Sequence, residues 1–273
     1  MDMDCLRPQH RANLDRAMAV LASGVLTSDG GAVAAGASER AIEVAFAAQY
    51  IRNAKRMLDV GFTFASPDYM GLLLAAQDAG VAITGLDIIP PASVTNRYPE
   101  PWREAILQVP VQLGDVRSCD LPDQTYDLVA LVSTLEHVGF DAPGSVGGGA
   151  FDRPKDLKDV KTHRDPDTDA RVMAQCAKAL QPGGIVVVTV PMGRGGPAIL
   201  QDSLGLYACQ YEYNASSWAG LMAAPGFEVI EQAFYRETED GWRAVTGPGD
   251  LSDVSSHGRG HAAGCALAAL RRI

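Results

Sequence analysis

The sequence predicts an α/β fold built on an open, doubly wound, mostly parallel sheet. Three observations carry this. Apolar runs of strand length recur from about residue 56 onward, segments with apolar residues at helical spacing lie between them, and several runs end on a glycine or a carboxylate. Strands that alternate with helices are joined by crossover connections, and ligands of such sheets lie just beyond the strand ends.

In chain order, residues 1–50 hold two helices separated by a Gly/Ala/Ser-rich stretch at 28–38, the second helix running over 38–54 into the first strand. They are expected to form a helical cap over a ligand cleft, with 51–273 as the main domain. Five strands follow: RMLDVG (56–61), VAITGLD (81–87), VPVQLGD (109–115), YDLVALVS (126–133) and GIVVVTVP (184–191). Helical spacing marks 66–79 and 167–180, and Leu180-Gln181-Pro182-Gly183-Gly184 stops the second of these helices. Asn214 is placed to cap a helix at 215–223, and the alternating run 227–236 reads as a further strand. The closing CALAAL (265–270) is Ala-rich enough for a helix, but its place in the order makes it a final strand. Between the fourth strand and the helix at 167 lies a Gly- and Asp-rich loop insertion at about 141–166. Loops of that length in a compact domain are usually functional.

Composition narrows the partners. Across 273 residues the net charge is -10, and no run of Lys or Arg exceeds the two residues of Arg271-Arg272, which argues against nucleic acid. Five cysteines, odd in number and without a C-x-x-C pair, suit reduced thiols in a cytoplasmic protein. The N-terminus has no basic region before its first apolar stretch, and that stretch (17–26) is too short for a bilayer, so neither export nor membrane insertion is expected. A homodimer is compatible with these features.

The strand ends carry the candidate chemistry. Leu58-Asp59-Val60-Gly61 closes the first strand, where a glycine admits close backbone approach by a ligand. Asp87 closes the second, where a carboxylate can accept both hydroxyl protons of a ribose, as it does in nicotinamide enzymes too. Asp115 closes the third, with Asp120 as its competitor, and either can accept from an adenine amino group. The fourth strand runs from Tyr126 through Ser133 into Thr134-Leu135-Glu136-His137.

In this order the motifs resemble the class I S-adenosylmethionine (SAM)-dependent methyltransferases of the small-molecule type. The resemblance rests on LDVG (58–61), the acidic strand ends, Leu121-Pro122 with DLV (127–129) and LEHV (135–138), and the LQPGG…VP run (180–191), and it covers about 55–236. It implies a Rossmann-like sheet of seven strands in the order 3-2-1-4-5-7-6, the last antiparallel. It also implies methyl transfer to an oxygen or nitrogen of a small-molecule acceptor, sugars and secondary metabolites foremost, with S-adenosylhomocysteine (SAH) as product. The cofactor-binding residues it implies are Asp59, Gly61, Phe62, Thr63, Asp87, Ile88, Asp115, Val116, Ser133 and Leu135. Asp59 and Gly61 would frame the methionine part, Asp87 the ribose, and Asp115 or Asp120 the adenine. One departure stands out: Phe62-Thr63-Phe64 occupies positions where family members usually carry glycines. There Thr63 or Ser66 can offer hydroxyls, and an aromatic ring can face the sulfonium cation. The same departure motivates an alternative, a SAM-binding protein of this fold with a non-methylating role. A further alternative is a nicotinamide-dependent oxidoreductase, against which the missing G-x-G-x-x-G counts.

For catalysis, His137 is the leading general base, since imidazole titrates near neutral pH and the fourth strand's end faces the transfer point. Asp141 and His163 are further candidates. Glu136-His137 also resembles the acidic-His pair that holds a divalent metal in some quinone O-methyltransferases, though with fewer carboxylates around it here. Arg194, after the fifth strand, can meet an anionic substrate group, and Tyr207 and Tyr211 offer rings to a sugar or aromatic acceptor. His257 and His261 flank Gly258 and Gly260, which favours a loop over a metal-binding helix.

Overall fold

The computed structural model describes residues 5–26, 33, 36–140, 156–201, 205 and 207–273. Two helices lead, α1 (Pro8–Ser23) and α2 (Arg40–Ile51). The parallel part then alternates as expected: β1 (Arg56–Val60), α3 (Pro67–Asp78), β2 (Ala82–Asp87), α4 (Glu100–Gln108), β3 (Val111–Leu113), β4 (Tyr126–Val132), α5 (Thr168–Ala179) and β5 (Leu180–Pro191). There follow β6 (Gly196–Gln201), β7 (Tyr207–Glu212), α6 (Ala215–Met222), β8 (Phe227–Thr238), β9 (Gly241–Val245) and β10 (Gly264–Arg272).

The main sheet runs β3-β2-β1-β4-β5-β10-β8-β9, with β10 antiparallel to both neighbours. Its first seven positions follow the expected order 3-2-1-4-5-7-6, so the Ala-rich closing segment is a strand. The sheet has eight strands and not seven, because β9 pairs antiparallel with β8 at the edge. Trp242 on β9 is buried, and its indole Nε1 donates to the Ala37 carbonyl at 2.7 Å, tying the approach to α2 onto this edge. A five-residue strand whose purpose is such a tertiary anchor leaves too short a pattern to read.

Helices cover both faces. α1 to α4 share one core with the sheet, in which Val44 to Ala48 of α2 are fully buried, while α5 and α6 pack on the other face. The helices expected as a cap are thus built into the core, and Asn13 on α1 donates to buried Asp68 on α3 at 2.6 Å. Asn214 caps α6 as expected, accepting from the amides of Ser216 and Ser217. No helix among the described residues is long and apolar enough to cross a membrane.

Candidate functional site

At the carboxyl edge of β1, β2, β3 and β4 the chain forms two adjoining cavities. One is an apolar slot with Asp87 and Asp115 in its wall, and the other is a chamber of about 400 Å³ that Arg40, Arg97, Phe64 and Tyr69 help to line. Gly61, Thr134 and His137 line both and form the waist between them. Gly61 takes φ 86°, and a Cβ there would come within 2.5 Å of Thr134 Oγ1, so only glycine fits the waist.

The first loop solves its shortage of glycines by turning its bulk inward. Phe62 to Phe64 form one 3-10 turn, and the Phe62 ring is fully buried against Gly85, where a Cβ would lie 2.7 Å from the ring. Neither cavity is lined by Phe62; of the loop's two phenylalanines, Phe64 is the one that reaches the chamber. Thr63 is buried as well, and it braces the second strand's end: its amide donates to Asp87 Oδ2 at 2.9 Å and its hydroxyl to the Ile89 carbonyl at 2.7 Å. The Ile89 amide donates to Asp87 Oδ1 at 3.1 Å, so the carboxylate is aimed by two amides and keeps lone pairs toward the slot. Burial pushes the Asp87 carboxyl up from its ordinary value, with these amide hydrogen bonds opposing the rise. Ile88, exposed, lines the slot beside it.

Asp115 and Val116 also line the slot. Partial burial raises the Asp115 carboxyl, but the side chain and amide of Arg117 more than offset this and hold it below its ordinary value. It is an ionised acceptor at neutral pH. Asp120 belongs elsewhere: it is exposed and pairs with Lys178 at 2.7 Å.

Asp59 lines neither cavity. It is buried under the waist, where Tyr69, itself lining the chamber, donates to its Oδ1 at 2.6 Å. Burial pushes this carboxyl up to about 8, the Tyr69 hydrogen bond opposing and Asp87 adding to the rise. A folded-state value raised above 3.8 means that the native protein holds a proton the unfolded chain has released, so stability falls as pH rises from about 4 to about 8. The Asp59→Asn variant, which keeps an acceptor for Tyr69, is expected to flatten that fall by up to ~1.4 kcal/mol per pH unit, read by denaturant melts at pH 5 and pH 8.

At the end of β4, Ser133 has a left-handed φ of 46°, uncommon for a side-chain-bearing residue and concentrated at functional sites. Its amide is held by the Thr189 side chain at 2.9 Å and its hydroxyl donates to Glu136. Ser133 therefore lines the chamber and not the slot, and Leu135 is fully buried and lines neither. His137 sits on the following 3-10 turn with Nδ1 3.3 Å from the Cys209 carbonyl and Nε2 3.8 Å from Glu136 Oε1. Assigning the Nδ1 proton to the carbonyl leaves Nε2 as the basic nitrogen, backed by a buried carboxylate. Among the described residues no group of three or more His, Cys, Asp and Glu side chains is placed to hold a metal ion.

Other expected residues fall away from the waist. His163 is exposed and lines neither cavity, while its neighbour Arg164 turns inward. Asp141 lies outside the described residues. Arg194 is exposed, with its amide on Glu212, because the chain turns there into the β6–β7 hairpin. The hairpin presents Ala208 to the chamber, so Tyr207 does not line it, and Tyr211 faces a third cavity and stacks under Arg164 at 4.6 Å. His257 and His261 lie in the loop before β10, accepting from the Ile199 amide and meeting Glu237 respectively.

Sequence reasoning missed Arg40, Arg97, Tyr69 and Arg164. Arg164 is the positioning element of the His137 turn. It donates to the carbonyls of Leu135 and Val138, each at 2.9 Å, and to Asp169 at 2.7 Å. Arg164→Ala removes three hydrogen bonds from these part-buried acceptors, leaves the fully buried Leu135 carbonyl without its guanidinium donor, and is expected to cost ~2 kcal/mol in a urea melt. The local signal for Arg40 was an arginine opening an otherwise apolar helix with Glu43 one turn on. Arg164 has none for its role at the His137 turn, since the carbonyls it holds are distant in sequence.

No family model matches the sequence, and no curated protein matches it. A solved SAM-dependent methyltransferase from Methanosarcina mazei matches 84% of this chain and 97% of its own at 14% identity, with a TM-score of 0.51. The fold is that of the class I SAM-dependent methyltransferases. The cyclase SpnF matches this methyltransferase fold at 17% identity over 97% of this chain and 94% of its own, TM-score 0.50. A Burkholderia thailandensis 1,6-didemethyltoxoflavin-N1-methyltransferase, solved with SAH, matches at 16% identity over 100% and 93%, TM-score 0.47. Within the methyltransferase fold of this chain, the slot and the chamber lie at the strand ends where the sheet order reverses between β1 and β4.

Proposed function

We propose that this protein is a SAM-dependent methyltransferase that moves a methyl group to an oxygen or nitrogen of a small metabolite. The waist carries the reading: a nucleoside in the slot and an acceptor in the chamber would meet at Gly61, Thr134 and His137.

The residues present fit the cofactor. Gly61 leaves a cradle that any Cβ would fill, Asp87 offers aimed lone pairs to two ribose hydroxyls, and ionised Asp115 suits an adenine amino group. Arg40, reaching the chamber from the start of α2, suits the carboxylate of the methionine part. When bound, SAM supplies a methyl group made electrophilic by its sulfonium. The chain's own part is alignment, which carries much of an in-line displacement, and removal of the acceptor's proton by His137 Nε2. Glu136 lies on the side of Nε2 where the imidazolium charge appears. Because Phe62 is buried beneath β2, the glycine-poor loop leaves the slot open, which favours methyl transfer over a purely structural role for the site.

Calorimetric titration tests the reading: SAH and SAM are expected to bind one per chain and NAD not at all. Binding of NAD alone would sink it.

A further inference from the structure

Behind the chamber wall three acids gather around one permanent cation. Glu39 and Glu43, at the start of α2, and Glu136, on the turn after β4, all feel one another and the guanidinium of Arg40. Glu43 and Glu136 are fully buried. Each of the three acids keeps one buried carboxyl oxygen without a hydrogen-bond partner among the described residues. Two histidines stand at the margin, His137 beside Glu136 and His261 toward Glu39. Three ionised carboxylates in dry surroundings repel one another more than a single guanidinium offsets, so part of the cluster stays protonated at neutral pH.

Glu43 is the member that touches Arg40. Burial pushes its carboxyl up to about 8, with Arg40 opposing and Glu39 and Glu136 adding to the rise. The other groups facing it are the Thr189 hydroxyl on β5 and the Cys265 thiol on β10. Arg40 serves both the cluster and the chamber: its Nη1 lies 3.2 Å from Glu43 Oε2, and its partly exposed side chain lines the chamber. On the reading proposed above, on which this inference rests, the carboxylate of the cofactor's methionine part meets Arg40 from the chamber side. An ionised Glu43 competes for that guanidinium and repels the newcomer. A protonated Glu43 does neither.

We propose that Glu43 is a positioning residue for the cofactor: its proton decides how much of the Arg40 charge the chamber sees, and a carboxylate settles on Arg40 as Glu43 takes up a proton from solvent. Glu43 does not touch the cofactor and acts through Arg40. Below about pH 8 it is protonated and leaves the guanidinium to the ligand; above that it ionises, and the carboxylate is held more weakly. A carboxylate on Arg40 in turn raises the affinity of Glu43 for its proton by about tenfold.

The test compares SAH affinity of the full chain, by calorimetry, in the wild type and in Glu43→Gln, which keeps the shape and cannot ionise. The SAH ammonium, Asp59 and His137 titrate in both proteins and cancel in the comparison. The ratio of wild-type to variant Kd is expected to rise about threefold from about pH 6.5 to about pH 8.5. A second measurement needs no variant. Near pH 8, in two buffers of different ionisation enthalpy, desamino-SAH, which keeps the carboxylate and lacks the amine, is expected to take up about 0.4 proton more than methylthioadenosine, which lacks both. A Kd ratio that stays level or falls with pH, or equal proton uptake with the two ligands, would overturn the proposal and leave the proposed function standing. Absence of SAH binding at either pH would overturn both.

Discussion

The Asp87→Ala variant is expected to lose about a hundredfold in SAH affinity, measured by calorimetry. In the native loop the carboxylate is gripped by the amides of Thr63 and Ile89, which leaves its outward lone pairs directed at the slot. Two charge-assisted hydrogen bonds to ribose hydroxyls contribute roughly 3 kcal/mol in such a site, which sets the hundredfold. The substitution also strips two amides of their acceptor, so a drop in Tm accompanies the loss of affinity. Asp87→Asn separates the effects: one amide acceptor survives, the fold is largely retained, and SAH affinity still falls. An SAH affinity unchanged in both variants would remove Asp87 from the site.

The second large effect is expected at His137. His137→Ala should lower kcat by about 10²- to 10⁴-fold for a hydroxyl acceptor while leaving SAH affinity within a few-fold. The split matters because His137 lines both cavities. A residue that merely walled the slot would change SAH binding as much as turnover. A residue that removes the acceptor's proton changes turnover first. His137→Gln keeps a donor toward the Cys209 carbonyl without supplying a base, so it should be as slow as the alanine variant while melting closer to the wild type.

The parallel half of the fold was legible because its strands are buried on both faces and read as unbroken apolar runs bounded by helical spacing. Asp87, Asp115, Gly61 and His137 were legible for a related reason: in such a sheet, ligands gather at strand ends, and a carboxylate or glycine just past an apolar run is conspicuous. Phe62 and Thr63 were placed in the right loop but given the wrong task. Nothing in the sequence says that Gly85, on the neighbouring strand, leaves a hole for the Phe62 ring, so the bulk that suggested an altered cofactor site is spent on packing.

The acceptor side was hardest to read. Its walls come from the start of α2, the turn after β2 and the β6–β7 hairpin, which the topology brings together across most of the chain. Tyr211 drew attention as an aromatic, yet it faces the third cavity under Arg164, and the small Ala208 is what the hairpin shows to the chamber. Arg164 illustrates the same limit, since its carbonyl partners on the His137 turn lie 26 and 29 residues away.

The central claim concerns one place, the waist of Gly61, Thr134 and His137 where the slot and the chamber meet. A crystal structure of the protein soaked with SAH addresses it directly. The adenine should lie against Asp115, the ribose hydroxyls on Asp87, and the sulfur beside Gly61 and Thr134, within reach of an acceptor in the chamber. A nucleoside lodged between Arg40 and Arg97, or a sulfur pointing away from His137, would contradict it.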